Sequence, residues 1–122
     1  MSITISAITI ATTHTQQMVE FYNAVLDANL SEFQPIPNTS FYSGKLAGIP
    51  LTICPNTIAQ VDAQQNRQQF EFAVDDIHDV FISALNNGGT QITAIEEQDT
   101  MLICSVYDPD GNSIVFSQAK SS

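Results

Sequence analysis

Reactive side chains are sparse in this 122-residue chain. Its two cysteines, Cys54 and Cys104, stand far apart with no CxxC pair and no Cys/His spacing, so they read as reduced core or half-buried thiols. A thiolate nucleophile also needs a nearby base or positive field. His14 falls in a turn before an apolar helical stripe, and His78 sits beside a second such stripe. Both positions suit surface residues, with a metal or general-base role as the alternative. Glu71 lies inside the alternating run FEFAV. Desolvated, such a carboxylate becomes a base; wet, it attracts cations or is simply solvated. The chemistry on offer is that of one carboxylate at most, or of binding.

The overall charge narrows the partners. Thirteen acidic residues face Lys45, Arg67 and Lys120, a net charge of −10. No nucleic acid is expected, because backbone binding needs clustered Lys and Arg. Such a field repels anions and favours cations, or serves solubility alone. No membrane is expected either, since nothing approaches ~18 consecutive apolar residues. The opening MSITISAITIATT has no basic n-region and alternates, which predicts a strand and a cytoplasmic protein. An apolar fraction of 43% with mean hydropathy of +0.03 fits one soluble globular domain.

The elements that must position these residues come twice. Ile3–Ile10 alternates as a half-buried strand. A helix from about Thr15 follows, its stripe made by Met18, Val19, Tyr22, Val25 and Leu26. Thr13 with Gln16 offers a capping box, and Asp27 or Asn29 can end the helix in the left-handed region. Strands are predicted near 28–33, 39–44 and 49–54. Residues 55–68 are polar and read as a linker. The pattern then restarts with a strand over Gln69–Val74, capped by Asp75 or Asp76 into a helix striped by Ile77, Val80, Phe81, Ala84 and Leu85. Asn86-Asn87-Gly88-Gly89 stops it, and strands near 90–96, 100–107 and 113–118 follow.

The halves superpose. Ile8 and Ile10 match Phe70 and Phe72 at an offset of 62; Leu51 and Ile53 match Ile114 and Phe116 at 63. Internal duplication of this kind governs the fold. The predicted class is α+β: two repeated β-α-β-β-β modules, 1–54 and 69–122, joined by the linker 55–68, forming a curved mixed sheet around a cup with helices on the outer face.

Three stretches carry a family resemblance: FYNAVLD (21–27), FEFAVDDI (70–77) and DPDGNSIVFSQ (108–118). Together they resemble the vicinal oxygen chelate superfamily, which includes glyoxalases, bleomycin-resistance proteins, fosfomycin-resistance proteins and extradiol dioxygenases. That resemblance implies a divalent metal inside the cup, held by His, Gln or Glu from the first and fourth strands of each module. The matching positions here are Ala7, Thr52, Gln69 and Val115. Ala and Val have no donor atom, Thr is a weak neutral ligand, and Gln brings no charge. A catalytic site needs about three protein donors of stronger kinds. No metal and no other cofactor is therefore expected.

Strand parity turns Thr9, Thr52, Cys54, Gln69, Glu71, Val115 and Ser117 toward the cup, with Val115 as an apolar wall. Phe41, Tyr42, Met101 and Tyr107 suit core or dimer packing, or else an apolar pocket lining. The resemblance implies a homodimer with the cup built across subunits. The leading expectation is a metal-independent binder of a small molecule, cationic if the acidic charge serves binding, as in bleomycin-resistance proteins. The alternative is a lyase, isomerase or dioxygenase with an unorthodox metal site or with Glu71 as base. A third reading, a scaffold for protein partners, predicts a cup filled by its own side chains.

Overall fold

The computed structural model describes residues 2, 4–59 and 68–120. Along the chain run β1 (Ile8–Thr12), α1 (Thr15–Leu26), β2 (Ser31–Ile36), β3 (Thr39–Leu46), β4 (Ile49–Pro55) and a short α2 (Asn56–Ala59). The second half gives β5 (Phe70–Ala73), α3 (Ile77–Asn86), β6 (Thr90–Gln98), β7 (Met101–Tyr107) and β8 (Ser113–Ala119). Two four-stranded mixed sheets result, ordered β1-β4-β3-β2 and β5-β8-β7-β6. This is the α+β architecture of a repeated β-α-β-β-β unit. In each sheet the first strand pairs parallel to the last, and the others pair antiparallel.

Periodicity explains which face is covered. Ile10, Leu51 and Ile53 lie under α1, through Met18, Val19 and Tyr22; Phe72, Ile114, Phe116 and Cys104 lie under α3, through Ile77 and Ala84. Every second residue points the other way, so each sheet keeps one uncovered face. Helices α1 and α3 touch each other, which merges the two layers into one core. Gly89 lies at that meeting point. A β-carbon there would come within 2.9 Å of both Phe21 Cε2 and the Tyr107 carbonyl oxygen, so the close approach excludes larger residues.

Several local expectations need correction. Residues 4–7 do not extend β1, and Ile3 lies outside the described residues: parallel pairing with β4 begins at Ile8 opposite Leu51, because β4 itself begins only two residues earlier, at Ile49. The proposed Thr13–Gln16 capping box does not form. His14 occupies the cap position, and the Thr13 hydroxyl is engaged with His14 Nδ1 instead. Strand β2 starts later than residue 28, because Asn23 of α1 binds Leu30 through both its carbonyl oxygen and its amide. The 55–68 segment carries the helical turn α2 at its start, and its middle, 60–67, lies outside the described residues. Asp27 does end α1 in the left-handed region at φ 52°, and Asp76 caps α3 by accepting from the Asp79 amide.

Candidate functional site

The uncovered faces are built in rows. On the first sheet Thr9 pairs with Thr52, which pairs with Ser43. On the second, Glu71 pairs with Val115, which pairs with Ser105, whose hydroxyl meets Thr93 Oγ1 at 2.9 Å. The rows are the same row written twice, with Thr9 and Ser43 replaced by Glu71 and Ser105 at an offset of 62. Thr9 and Glu71 are exposed, and Thr52 and Val115 are half-buried. One step along the strands, Cys54 and Ser117 are buried at 2% and 4% exposure, opposite Ala11 and Ala73. Gln69 is exposed and donates through Nε2 to Ser113 Oγ at 2.6 Å.

A cavity of about 380 Å³ lies between the two units. Its walls are Ala7, Ile8, Thr9 and Ile10 on one side and Gln68, Phe70, Ser113 and Ile114 on the other, with Tyr22 and Asn112 completing the lining. Consecutive residues of β1 line it, so the strand's edge faces the space, rather than one side of the sheet. Strands β1 and β5 are the end strands of their sheets, which is why a seam exists there. Of the seven residues assigned to the cup by parity, this cavity takes in Thr9; of the four family metal positions, it takes in Ala7.

The DPDGN segment, residues 108–112, makes the turn between β7 and β8. Its larger role is the joint between the units. Asp108 is 2% exposed, and its Oδ1 accepts from the Asp110 and Asn112 amides at 2.9 Å. Its Oδ2 accepts from Asn112 Nδ2 at 2.9 Å and from the Tyr22 hydroxyl of α1 at 2.8 Å. Burial pushes the Asp108 carboxyl up from its ordinary range, against the pull of these donors. Burial also raises the Tyr22 hydroxyl well above its ordinary value, with the neighbouring Asp108 charge adding to it. A second link joins exposed His14 to the shielded Asp110 side chain at 2.6 Å. Tyr22 and Asn112 both line the cavity, so one buried carboxylate holds two of its residues in place. Tyr22 and Asp108 are 86 residues apart, and no local signal pairs them.

The remaining reactive groups are quieter. His78 is exposed on α3. Both thiols are free and buried, and burial pushes Cys104 up to about 11 and raises Cys54 as well. Tyr42 packs on the core, Phe41 meets Phe33 edge-on at 5.6 Å, Met101 is half-buried and Tyr107 is 40% exposed.

The vicinal oxygen chelate resemblance calls for a divalent metal, and the donor set does not fit one. Ala7 and Val115 offer no donor atom, Thr52 a neutral hydroxyl, and Gln69 an uncharged carbonyl oxygen. Among the described residues no three His, Cys, Asp or Glu side chains cluster as ligands. Likewise, no helix among them is long and apolar enough to cross a membrane.

Comparison with known proteins agrees with this architecture. Residues 7–116 match the family described as glyoxalase-like domain. No curated protein matches the sequence. Among solved structures, a glyoxalase/bleomycin resistance protein/dioxygenase family enzyme from Burkholderia phytofirmans PsJN is similar at a TM-score of 0.75 and 18% identity, covering 96% of this chain and 99% of that one. A glyoxalase/bleomycin resistance protein from Albidiferax ferrireducens T118 gives 0.67 and 23%, over 93% and 96%. TnmS3, an antibiotic binding protein from Streptomyces sp. CB03234, gives 0.70 and 15%, over 98% and 99%. The chain belongs to the glyoxalase-like domain family, within the vicinal oxygen chelate superfamily.

Proposed function

We propose that this protein binds a small organic molecule without a metal, at the seam cavity and the uncovered sheet faces beside it. The observation that carries the reading is the residue chemistry at the four family metal positions, Ala7, Thr52, Gln69 and Val115. Without charged or imidazole donors there, a guest must be held by shape, apolar contact and hydrogen bonds. The similarity in fold to an antibiotic binding protein supports a binding role. Glu71 is exposed on its strand and adds attraction for a guest with a cationic group. A homodimer, with a second copy closing the open faces, completes the proposal; the cytoplasm is its expected compartment.

The test is a thermal-shift screen of small molecules with and without a chelator, alongside elemental analysis of the purified protein. Stabilisation by a hit should survive the chelator, and no stoichiometric transition metal should be present. A hit abolished by the chelator would overturn the reading.

A further inference from the structure

Among the described residues that line the seam cavity there is no charged side chain. The described acids of the chain are absent from that lining, Glu71 included. An ion moved from water into such a space loses hydration, and the carboxylate behind its wall, Asp108, already accepts from four donors of the chain. Ile8, Ile10, Phe70 and Ile114 supply apolar contact instead. The run Ala7–Ile10 borders the space along β1, an end strand of its sheet, so backbone amides and carbonyls of a free strand edge face it, as in sites that take up extended amide-bearing ligands, while Ser113 and Ile114 of the inner strand β8 border the other side. Its volume, about 380 Å³, is at the small end of ligand pockets.

Resting on the binding reading above, the geometry points to a specific class of guest: a small neutral molecule with an apolar body and an amide or similar carbonyl group, bound edge-on between β1 and β5. The net −10 charge suggests a cation, but that field acts outside the seam. Whatever cation affinity Glu71 confers belongs to the open face, not to this cavity.

Three probes that share an aromatic body separate the cases: neutral N-benzylacetamide, benzylammonium and phenylacetate, each titrated into the isotope-labelled full chain and followed by amide NMR. N-benzylacetamide should shift the resonances of Ile8–Ile10 and Asn112–Ile114 and bind there at least threefold tighter than either ion. Thr9→Trp, at an exposed position on the rim, should remove that response while leaving the fold intact. If benzylammonium is the tightest probe at the seam, the neutral class is wrong although small-molecule binding stands. If only Glu71 and its neighbours respond, the seam is not the site, and again the broader reading survives. If no probe perturbs any resonance, the inference fails; the broader reading is then judged by the chelator screen.

Discussion

The two modules share a strand order but close their last hairpins differently. In the first, Leu46 pairs with Ile49 across a two-residue turn, Ala47-Gly48, with φ of 50° and 86°. That is the left-handed geometry favoured by tight hairpins. In the second, pairing stops at Tyr107 opposite Ser113, and five residues, Asp108–Asn112, make the turn. Asp108 and Asn112 match Leu46 and Ile49 at offsets of 62 and 63, so between matching positions the second turn has one added residue. That residue lets the turn curl around the Asp108 carboxylate, which then reaches Tyr22 of the first module. A repeat that stayed symmetric would have no such joint. The asymmetry both fastens the modules and sets two residues of the cavity, Tyr22 and Asn112.

Removing the joint should therefore be the most damaging change. Asp108→Ala strips acceptors from four buried or half-buried donors, and should cost about 3 kcal/mol or more in chemical denaturation. Tyr22→Phe removes one of those bonds and should cost about 1–3 kcal/mol. Substitution in the first module's tight turn, Gly48→Ala, places a side chain at φ 86° with open space around it, and should cost only about 1 kcal/mol. Equal losses at Asp108 and Gly48 would remove the distinction between the two turns.

Next in size is an alkaline effect from the second module's core thiol. A thiol in an unfolded chain titrates near ~8.5, whereas burial holds Cys104 up at about 11. Between those values the folded chain keeps a proton that the unfolded chain loses. Stability is thus full below the unfolded value and falls as pH rises, by up to about 1.4 kcal/mol per pH unit for this one group. Cys104→Ala should lower stability overall yet flatten that alkaline slope in urea titrations from pH 8 to 11. An unchanged slope would place the titrating group elsewhere.

The smallest effects belong to the paired rows. Glu71→Gln and Thr52→Val alter exposed or half-buried positions on the uncovered faces. Each should move stability by no more than ~0.5 kcal/mol. Glu71→Gln should weaken cation binding on the second face and leave neutral ligands unaffected, as read by calorimetry.

Much of the fold was legible because its signals are local and repeated. The stripes of Met18, Val19 and Tyr22, and of Ile77, Val80 and Ala84, read as helices because a 3.6-residue period has one interpretation at that length. The positions Ala7, Thr52, Gln69 and Val115 follow from the family resemblance, and the duplication, which pairs Ala7 with Gln69 and Thr52 with Val115, supports them. What failed was decided by pairing partners. Alternation over residues 3–7 looks like a strand, yet β4 begins at Ile49 and pairs with β1 only from Leu51. Leu30 was drawn away from β2 by Asn23, a side chain read only as part of a helix. The cavity was illegible for a similar reason. It arises where β1 and β5 end their sheets side by side, and no residue on either strand announces that meeting.

Whether the four family metal positions hold a metal in this chain is tested most directly by titrating zinc and manganese into the chelator-treated protein in a calorimeter. The account predicts no saturable heat from the wild-type chain. It also predicts recovery of binding only when donors are rebuilt together, as Ala7→His, Thr52→Glu, Gln69→His and Val115→Glu. Micromolar, one-to-one binding by the unmodified protein, abolished by Gln69→Ala, would contradict it.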